Sequence, residues 1–270
     1  MNSTVRPRVA TTADLDVVTE TVRLAFAADP VWSLALGGQD GQLDRQPGLW
    51  RLWIEGALRY PCVWLSDGGA AVSVWIPPGG TEMSPAQEAA FEHLAADRLG
   101  PVRSGYLRET MARFEAAHPR DEPHYYLSLL GTNPEYRGRG LGMTLLADNL
   151  AQIDAERMPA YLESSNPAND HRYQRVGFEP IGAFNLPADG PPVTTMWRPA
   201  QGILGSVPIS RSRARRRAPG PRKAAAKCRR LGSYLPLLRA SATIPALAGQ
   251  LRAPATGGVP LLTQWCRLTW

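Results

Sequence analysis

One stretch of the chain, residues 125–142, constrains the fold more than any other. Its apolar run from Tyr125 to Leu130 has the length and composition of a buried strand. Pro134 then removes a backbone hydrogen-bond donor, so the strand is predicted to end there. Apolar side chains next recur at spacings of three and four, at Met143, Leu146, Leu150 and Ile153. This spacing predicts a helix with one buried face, so the stretch is predicted to form a strand, a turn and a helix.

The turn between this strand and this helix reads Arg-Gly-Arg-Gly-Leu-Gly from Arg137 to Gly142. Unpaired N–H groups at a helix start, the positive end of the helix dipole and two guanidinium groups all favour a bound polyphosphate. The P-loop pattern does not fit because no lysine precedes Lys223. The dinucleotide fingerprint does not fit because it needs Gly-x-Gly-x-x-Gly, whereas the glycines here alternate. The alternative interpretation is an exposed basic turn without a ligand.

The pattern Arg137-x-x-Gly140-x-Gly142 between strand and helix resembles the coenzyme A pyrophosphate loop of the GNAT superfamily of acetyl-CoA-dependent N-acetyltransferases. Residues 159–178 resemble the fifth strand of that family, the helix after it and the Tyr-x-x-x-Gly-Phe that ends this helix. The resemblance extends from about residue 5 to residue 199. Within the superfamily it looks closest to the puromycin N-acetyltransferase branch, through residues 63–75, 136–142 and 162–165.

The remaining segments predict a mixed sheet. Asp67-Gly68 between two apolar runs predicts an antiparallel hairpin, Thr12 is predicted to cap the first helix, and residues 31–46 are rich in turn formers. The element order predicts an α/β (α+β) fold, a mixed and mostly antiparallel GNAT-like sheet of about seven strands with helices on both faces. Strands at Tyr125–Thr132 and Ala160–Ser164 are predicted to be parallel neighbours.

Charge divides the chain into two parts near residue 200. Residues 1–200 carry 17 arginines and 24 acidic residues, a net charge of −7, whereas residues 201–270 carry 11 arginines, two lysines and no acid, a net charge of +13. We therefore expect a GNAT-like N-acetyltransferase domain over residues 1–200 and a disordered Arg/Ala/Pro-rich tail over residues 201–270. The basic excess lies in the tail, so it does not indicate a specific nucleic-acid partner.

Cysteine usage and hydropathy indicate the compartment. Cys62, Cys228 and Cys266 lie far apart and lack metal-ligand spacing with the four histidines, which predicts a reduced, cytoplasmic protein without a metal. The sequence has no signal-like apolar core and no run of about 18 apolar residues, so we expect a soluble protein without a membrane partner. We expect a monomer or a homodimer.

The resemblance implies acetyl-CoA as the co-substrate and assigns its binding to two main segments. The pyrophosphate is expected at Arg137, Gly138, Arg139, Gly140, Leu141, Gly142 and Met143. The pantetheine arm is expected to pair with the strand at Leu129, Leu130, Gly131 and Thr132, where a backbone N–H would polarise the thioester carbonyl. Asn166 and Asn169 both match the position of an asparagine near the coenzyme arm.

Tyr173 and Glu163 are the catalytic candidates. Tyr173 lies at the position that resembles the acid of the family, and a phenol is protonated at neutral pH. Glu163 resembles the glutamate of the puromycin-enzyme motif and is the candidate base, acting directly or through water. The alternatives are a core position for Tyr173 and an ion pair of Glu163 with Arg172 or Arg175. Further candidate bases are His124 and His171.

The predicted function is direct transfer of an acetyl group to a primary amine of a small molecule, with an amino-bearing antibiotic as one option. Asp29, Trp32 and Trp53 are candidates for contacting this acceptor, because the resemblance places their helices beside it. Core packing of both tryptophans is the alternative. A second function also stays open, a non-catalytic acetyl-CoA sensor whose basic tail binds polyanions.

Overall fold

The structure, a computed structural model, describes residues 7–36 and 47–201 of the chain. Its strands are β1 Arg8–Val9, β2 Val63–Ser66, β3 Ala71–Ile76, β4 Tyr125–Thr132, β5 Ala160–Ser164, β6 Glu179–Asn185 and β7 Pro192–Arg198. Its helices are α1 Leu15–Phe26, α2 Trp32–Leu36, α3 Pro47–Ala57, α4 Pro85–Ala117, α5 Leu141–Ala155 and α6 Asp170–Gln174. The predicted strand, turn and helix are therefore β4, the residues after it and α5.

The described strands form one seven-stranded sheet in the order β1-β2-β3-β4-β5-β7-β6. β4 and β5 are parallel and are joined through α5, whereas the other neighbouring strands pair in antiparallel fashion. A crossover helix is the usual way to connect parallel neighbours. The order and the directions of the strands confirm the predicted fold class.

Apolar side chains cover both faces of this sheet. On the face covered by α1, α3 and α4, seven aromatic side chains pack together: Phe26, Trp32, Trp50, Trp53, Phe91, Phe114 and Phe184. On the opposite face, α5 buries Leu146, Leu150 and Ile153 against the strands, and Met143 is half-buried. The predicted buried face of α5 is therefore confirmed. The helices on the two faces of the sheet position the site, because β4 and β5 lie between them.

The start of α1 differs from the prediction. Thr12 does not cap the helix but lies inside a 3₁₀ turn, Thr12–Asp14, that precedes it. The preceding residue, Thr11, donates its backbone N–H and its hydroxyl to Asp14 Oδ2 at 2.8 and 3.0 Å. Asp14 can accept both bonds because the 3₁₀ turn brings its carboxylate back over Thr11.

The segment predicted to be rich in turns, residues 31–46, contains the short helix α2. Asp29 causes this helix to form because its Oδ1 accepts the N–H groups of Val31 and Trp32 at 2.9 and 3.1 Å. Residues 37–46 lie outside the described residues, and so does the predicted tail beyond residue 201. The predicted hairpin is confirmed, since β2 and β3 pair up to Ser66 and Ala71.

The contact between α3 and the loop before α4 is close enough to be tested. A Cβ atom added at Gly56 would lie 2.3 Å from the backbone carbonyl oxygen of Glu82. We expect Gly56→Ala to destabilise the fold by about 1–3 kcal/mol, because the backbone of the loop has to move. Thermal unfolding monitored by circular dichroism measures the effect.

Gly105→Ala is the matched control, since Gly105 is also helical and a Cβ there meets nothing within 4 Å. Alanine at Gly105 is expected to keep or raise the stability by up to about 1 kcal/mol. Equal melting temperatures for the two variants would contradict the close contact at Gly56.

Candidate active site

The two parallel strands at the centre of the sheet separate before they end. Their pairing covers three positions and stops at Leu127 and Leu162. At this point β4 contains a bulge, because Leu127 faces Trp75 of β3 whereas Leu129 faces Val74. Ser128 is the extra residue of this bulge. A bulge bends its strand, so β4 turns away from β5 and leaves a gap between the two layers of helices.

A cavity of about 410 Å³ occupies this gap. One end is lined by β4 and by the turn that leads into α5. The other end is lined by the end of α1, by α2 and α4, and by the residues that follow β5. The candidate residues that line the cavity are Asp29, Trp32, Leu130, Gly131, Thr132, Arg137, Gly138, Gly140, Leu141, Gly142, Met143, Glu163, Asn166, Asn169 and Tyr173.

The turn before α5 has the backbone geometry of an anion site. Gly140 is the residue before α5, and its φ of 76° lies in the left-handed region that favours glycine. The N–H groups of the first helical turn, Leu141, Gly142 and Met143, have no acceptor within the helix and lie at its positive end. Arg137 donates from Nη2 to the carbonyl oxygen of Ala25 at 2.9 Å, which fastens the turn to α1. This end of the cavity can hold a phosphate.

Two of the predicted cofactor-binding residues lie away from the cavity wall. Leu129 is 1% exposed and packs on the face of the sheet that α1, α3 and α4 cover, because the bulge turns its side chain to that face. Arg139 places its guanidinium 5.1 Å from the centre of the Tyr136 ring. Its side chain is exposed beside the turn, so any contact with a bound phosphate requires this stacking to change.

Glu163 extends from β5 into the cavity with its side chain 2% exposed. Among the described residues no hydrogen bond to either carboxylate oxygen has ordinary geometry, but the phenols of Tyr126 and Tyr161 lie near enough for Glu163 to raise their pKa. The titratable side chain beside it is His118, whose Nδ1 lies 3.7 Å from Glu163 Oε1. Arg172 and Arg175 do not pair with it among the ion pairs of the described chain. A carboxylate that extends into the cavity in this way can take a proton from a ligand.

Tyr173 lies on α6 and lines the same cavity. Burial raises the pKa of its phenol to about 12, and the charges of Asp29 and Asp170 act in the same direction. This pKa lies above the ordinary phenol value near 10, so Tyr173 is protonated throughout the neutral range. Tyr173 can donate a hydrogen bond or a proton in the cavity, and it cannot serve as a base there.

Asp29 joins three parts of the cavity wall. Besides capping α2, its Oδ2 accepts the hydroxyl proton of Ser165, which follows β5, at 2.7 Å. Burial raises the pKa of Asp29, and these hydrogen bonds partly offset the effect. Asp29 therefore fixes α2 against the residues after β5, while burial disfavours the charged form of its carboxyl group.

The two tryptophan candidates differ in position. Trp32 is 6% exposed and lines the cavity, whereas Trp53 is 2% exposed and does not. The indole Nε1 of Trp53 instead donates to Glu82 Oε1 at 3.1 Å and to Ser128 Oγ at 3.2 Å. Trp53 therefore lies outside the cavity lining with its polar edge at the bulge of β4, and its contact with an acceptor stays a prediction.

Glu82 was not among the predicted site residues, and it lies directly behind the cavity. Its carboxylate accepts hydrogen bonds from Ser128 and from Trp53. Burial raises the pKa of Glu82 to about 7, and the negative charge of Glu163 adds to this increase. Glu82 comes two residues after Pro77-Pro78-Gly79-Gly80, and this run predicts only that a strand ends there. No local pattern distinguishes this glutamate from a surface one.

The candidate histidines and asparagines also occupy different places. His171 is exposed and does not line the cavity. His124 is 8% exposed, with Nε2 lying 3.1 Å from Nε2 of His118. Asn166 and Asn169 both line the cavity, and Asn166 Oδ1 accepts the N–H of Ala168 at 3.1 Å. His118, the residue that contacts Glu163, had no motif to mark it in the sequence.

Metal binding and membrane insertion find no support in the described part of the chain. Its His, Cys, Asp and Glu side chains include no cluster of three or more that could hold a metal ion. Over residues 7–36 and 47–201, no helix combines the length and the apolar character needed to cross a membrane.

Comparison with known proteins shows what this architecture is similar to. Residues 78–178 match the family model of the acetyltransferase (GNAT) family. A Corynebacterium glutamicum protein described as histone acetyltransferase HPA2 and related acetyltransferase is 24% identical, with a TM-score of 0.54 over 74% of this chain and 99% of that one. Arylalkylamine N-acetyltransferase 2 from Aedes aegypti is 15% identical, with a TM-score of 0.52 over 73% and 99%. An agmatine N-acetyltransferase is 13% identical, with a TM-score of 0.50 over 72% and 99%.

Glu82 makes the stability of the fold depend on pH. Its pKa rises from 4.5 to about 7 on folding, so its contribution to stability is complete below pH 4.5 and is lost as the pH rises through about 7. We expect Glu82→Gln to gain stability relative to the wild type over this interval, on the order of 1–3 kcal/mol. Urea denaturation at a series of pH values measures the difference.

Glu55→Gln removes an exposed carboxylate from α3 and controls for the change in net charge. If the difference between Glu82→Gln and the wild type is the same at every pH, Glu82 does not ionise in the folded protein in the way its burial predicts.

Proposed function

We propose that this chain, whose residues 78–178 match the acetyltransferase (GNAT) family, moves an acetyl group from acetyl-CoA directly to a primary amine of a small molecule. One observation carries the proposal. A single cavity between β4 and β5 is lined by an anion-binding turn at one end and, beyond it, by Tyr173 and Glu163. A site that holds the coenzyme by its diphosphate, a proton acceptor for the amine and a proton donor for the thiolate are what transfer from acetyl-CoA to an amine needs.

The turn before α5 would hold the pyrophosphate of the coenzyme. Its glycines allow close approach to the backbone, and the N–H groups of the first turn of α5 face a ligand there. The pantetheine arm would lie along β4, where Leu130, Gly131 and Thr132 line the cavity beyond the last paired position of β5. Free backbone groups on that edge can pair with the amides of the arm and polarise the thioester carbonyl.

The reaction moves two protons, one from the amine to Glu163 and one from Tyr173 to the thiolate. The amine nitrogen attacks the thioester carbonyl carbon, the carbon–sulfur bond breaks, and the amine proton passes to Glu163. The departing thiolate takes a proton from Tyr173. Glu163 releases its proton to water and Tyr173 takes one from water when the products leave, so both side chains regain their starting forms. The pKa of about 12 for this phenol lies above the ordinary value of about 8.5 for a thiol, and the same burial would raise the pKa of a thiol seated beside it. Donation from Tyr173 is therefore feasible in the closed site.

The acceptor end of the cavity favours an amine. Asp29 and Glu163 provide acidic groups there. Trp32 and Phe114 stack with their ring centres 5.5 Å apart and provide an aromatic wall. Two of the proteins of similar fold are described as agmatine and arylalkylamine N-acetyltransferases, which supports an amine as the class of acceptor. An amino-bearing antibiotic stays one option, resting on the resemblance of residues 63–75, 136–142 and 162–165 to the puromycin branch.

The turnover experiment is an acetyl-CoA assay that detects the released thiol across a panel of amines. The panel should contain a polyamine, an arylalkylamine, puromycin and an aminoglycoside, with the corresponding N-acetylated products identified by mass spectrometry. Thiol release that depends on one or more amines is expected. Binding of acetyl-CoA without turnover on any amine would instead favour the sensor function.

The proposed binding of the coenzyme by the turn before α5 can be tested at Gly140. Alanine at Gly140 must adopt the left-handed conformation with φ near 76°, which costs about 1 kcal/mol. We expect Gly140→Ala to weaken CoA binding by roughly tenfold, because the backbone N–H groups move out of position. Isothermal titration calorimetry with CoA measures the dissociation constant.

Gly79→Ala is the matched control for this strain. Gly79 is exposed in another turn, has a φ of 75°, and a Cβ there meets nothing within 4 Å. It should carry the same strain with unchanged CoA affinity. An equal loss of affinity in both variants would show that strain anywhere in the chain explains the effect.

Tyr173→Phe tests the proposed proton donor. We expect kcat to fall by roughly 10- to 10⁴-fold with the CoA dissociation constant unchanged, because the ring is kept and only the hydroxyl is lost. Tyr125→Phe is the control, since this phenol donates to Glu156 at 2.8 Å away from the cavity. A Tyr173→Phe enzyme of normal rate would remove the proposed role from Tyr173.

A further inference from the structure

We propose that Arg198, the last residue of β7, is a positioning residue that holds the phenol of Tyr173 at the reacting thioester. The inference rests on the proposed acetyl transfer and deepens it, because it identifies what orients the proton donor. Arg198 does not line the cavity, so it would act through Tyr173 and not on a ligand.

The helix that carries Tyr173 cannot fix its own position. α6 contains five residues, and a helix this short has little stability of its own in water, so its place depends on contacts with other elements. The ring of Tyr173 meets the ring of Phe178 edge-on, with 6.3 Å between the ring centres. Its backbone carbonyl oxygen accepts the N–H groups of Val176 and Phe178 at 3.0 and 3.2 Å. The position of Tyr173 is therefore tied to the turn formed by residues 175–178.

Arg198 fastens this turn to α5. Its Nε donates to the backbone carbonyl oxygen of Val176 at 2.9 Å. Its two terminal nitrogens, Nη1 and Nη2, donate to Asp154 Oδ1 and Oδ2 at 2.5 and 2.8 Å. Asp154 belongs to the last turn of α5, and the first turn of the same helix forms the proposed phosphate site. One side chain thus joins the helix that would hold the coenzyme to the helix that carries the proton donor.

A second bond from β7 fixes the other end of α6. Thr194 Oγ1 donates to Oδ2 of Asp170, the first residue of α6, at 2.9 Å. Thr194 and Arg198 are four residues apart on the strand, so their side chains lie on the same face of the sheet. β7 therefore holds α6 at its start through Thr194 and just after its end through Arg198, and Tyr173 lies between the two.

The geometry of a guanidinium group suits this role. When its planar fork makes two parallel bonds with one carboxylate, the remaining N–H on Nε has a fixed direction. The side chain of Arg198 is 9% exposed, and a Cβ atom added at Gly177 would lie 3.2 Å from its Nε. The backbone after α6 therefore packs directly on the guanidinium group. A lysine has a single ammonium nitrogen and cannot reproduce this set of three bonds.

Stability alone does not account for a charged side chain at this place. Removing an ion pair from water is costly, and an apolar pair of similar volume is often at least as stable. Met196, which lies two residues before Arg198 on β7, and Phe178 are both apolar and buried. An apolar side chain at position 198 would match this environment, but it would leave the carbonyl oxygen of Val176 without its donor. The direction of that bond is what the arginine adds.

The test compares the wild type with Arg198→Lys and with the paired replacement of Arg198→Met and Asp154→Leu. The paired replacement leaves no charge without a partner, so it keeps the test valid if Arg198→Lys fails to fold. We expect both variants to lower kcat by roughly 10- to 100-fold, because a displaced phenol no longer reaches the thiolate. The CoA dissociation constant from calorimetry and the KM for the amine should stay within about twofold of the wild type, since neither ligand contacts Arg198.

Arg113 provides the matched control. Its Nη1 donates to the backbone carbonyl oxygen of Asn185 at 2.6 Å and its Nη2 to Glu109 Oε1 at 2.8 Å, and none of these residues lines the cavity. It therefore makes the same two kinds of bond as Arg198 at another place in the fold. The paired replacement of Arg113→Met and Glu109→Leu should keep the wild-type kcat, KM and CoA affinity.

Combination with Tyr173→Phe separates positioning from general support of the fold. If Arg198 acts through the Tyr173 hydroxyl, the paired replacement should lower the kcat of the Tyr173→Phe enzyme by no more than about twofold, because the group it positions is already absent. A full further loss in that background would overturn the inference, and so would wild-type kcat in both Arg198 variants. Parallel losses of kcat and CoA affinity would show that Arg198 only supports the fold.

Failure of the proposed function has a different signature. A wild type that acetylates no amine, or a Tyr173→Phe enzyme of normal rate, would contradict the function or the proton donor, and the inference would be lost with them. Turnover by the wild type that depends on Tyr173 but is unchanged in the Arg198 variants would contradict the inference alone.

Discussion

The separation of β4 from β5 is the constraint on which the rest of the site depends. Parallel strands that stayed paired to their ends would leave no room for a ligand between the two layers of helices. The bulge at Ser128 prevents this, because it bends β4 at the last paired position. Glu82 and the indole of Trp53 hold Ser128 in place. Trp53 of α3 and Glu82 of the loop before α4 therefore stabilise the gap between β4 and β5, although neither residue belongs to the sheet.

The cavity separates charge along its length. At the turn before α5, backbone N–H groups, the helix dipole and Arg137 create a positive end. Beyond it, Asp29 and Glu163 create a negative end, with Glu82 behind them. A ligand with an anionic diphosphate fits the first end, and a cationic amine is attracted to the second.

Sequence reasoning succeeds for parts of the site that are contiguous in the chain. The strand, the turn at Arg137–Gly142 and α5 follow one another, so periodicity and glycine placement predict them together. It fails for contacts between distant segments, such as Trp53 with Ser128 and Glu82, which depend on a bulge that no local pattern marks. His118 is missed for the same reason, since only the folded sheet brings α4 against β5. The predicted cap at Thr12 is also wrong, since Thr11 precedes the 3₁₀ turn and Asp14 precedes α1.

The two ends of the cavity are made from different kinds of chain segment. The phosphate end comes from one uninterrupted stretch, whereas the acceptor end collects individual side chains from the turn after α1 and from α2, α4 and β5. If the proposed function holds, replacing one of these scattered residues would change which acceptors enter and would leave the binding of the diphosphate unchanged. New acceptors could then arise one mutation at a time, because separate portions of the chain would bind the donor and the recipient.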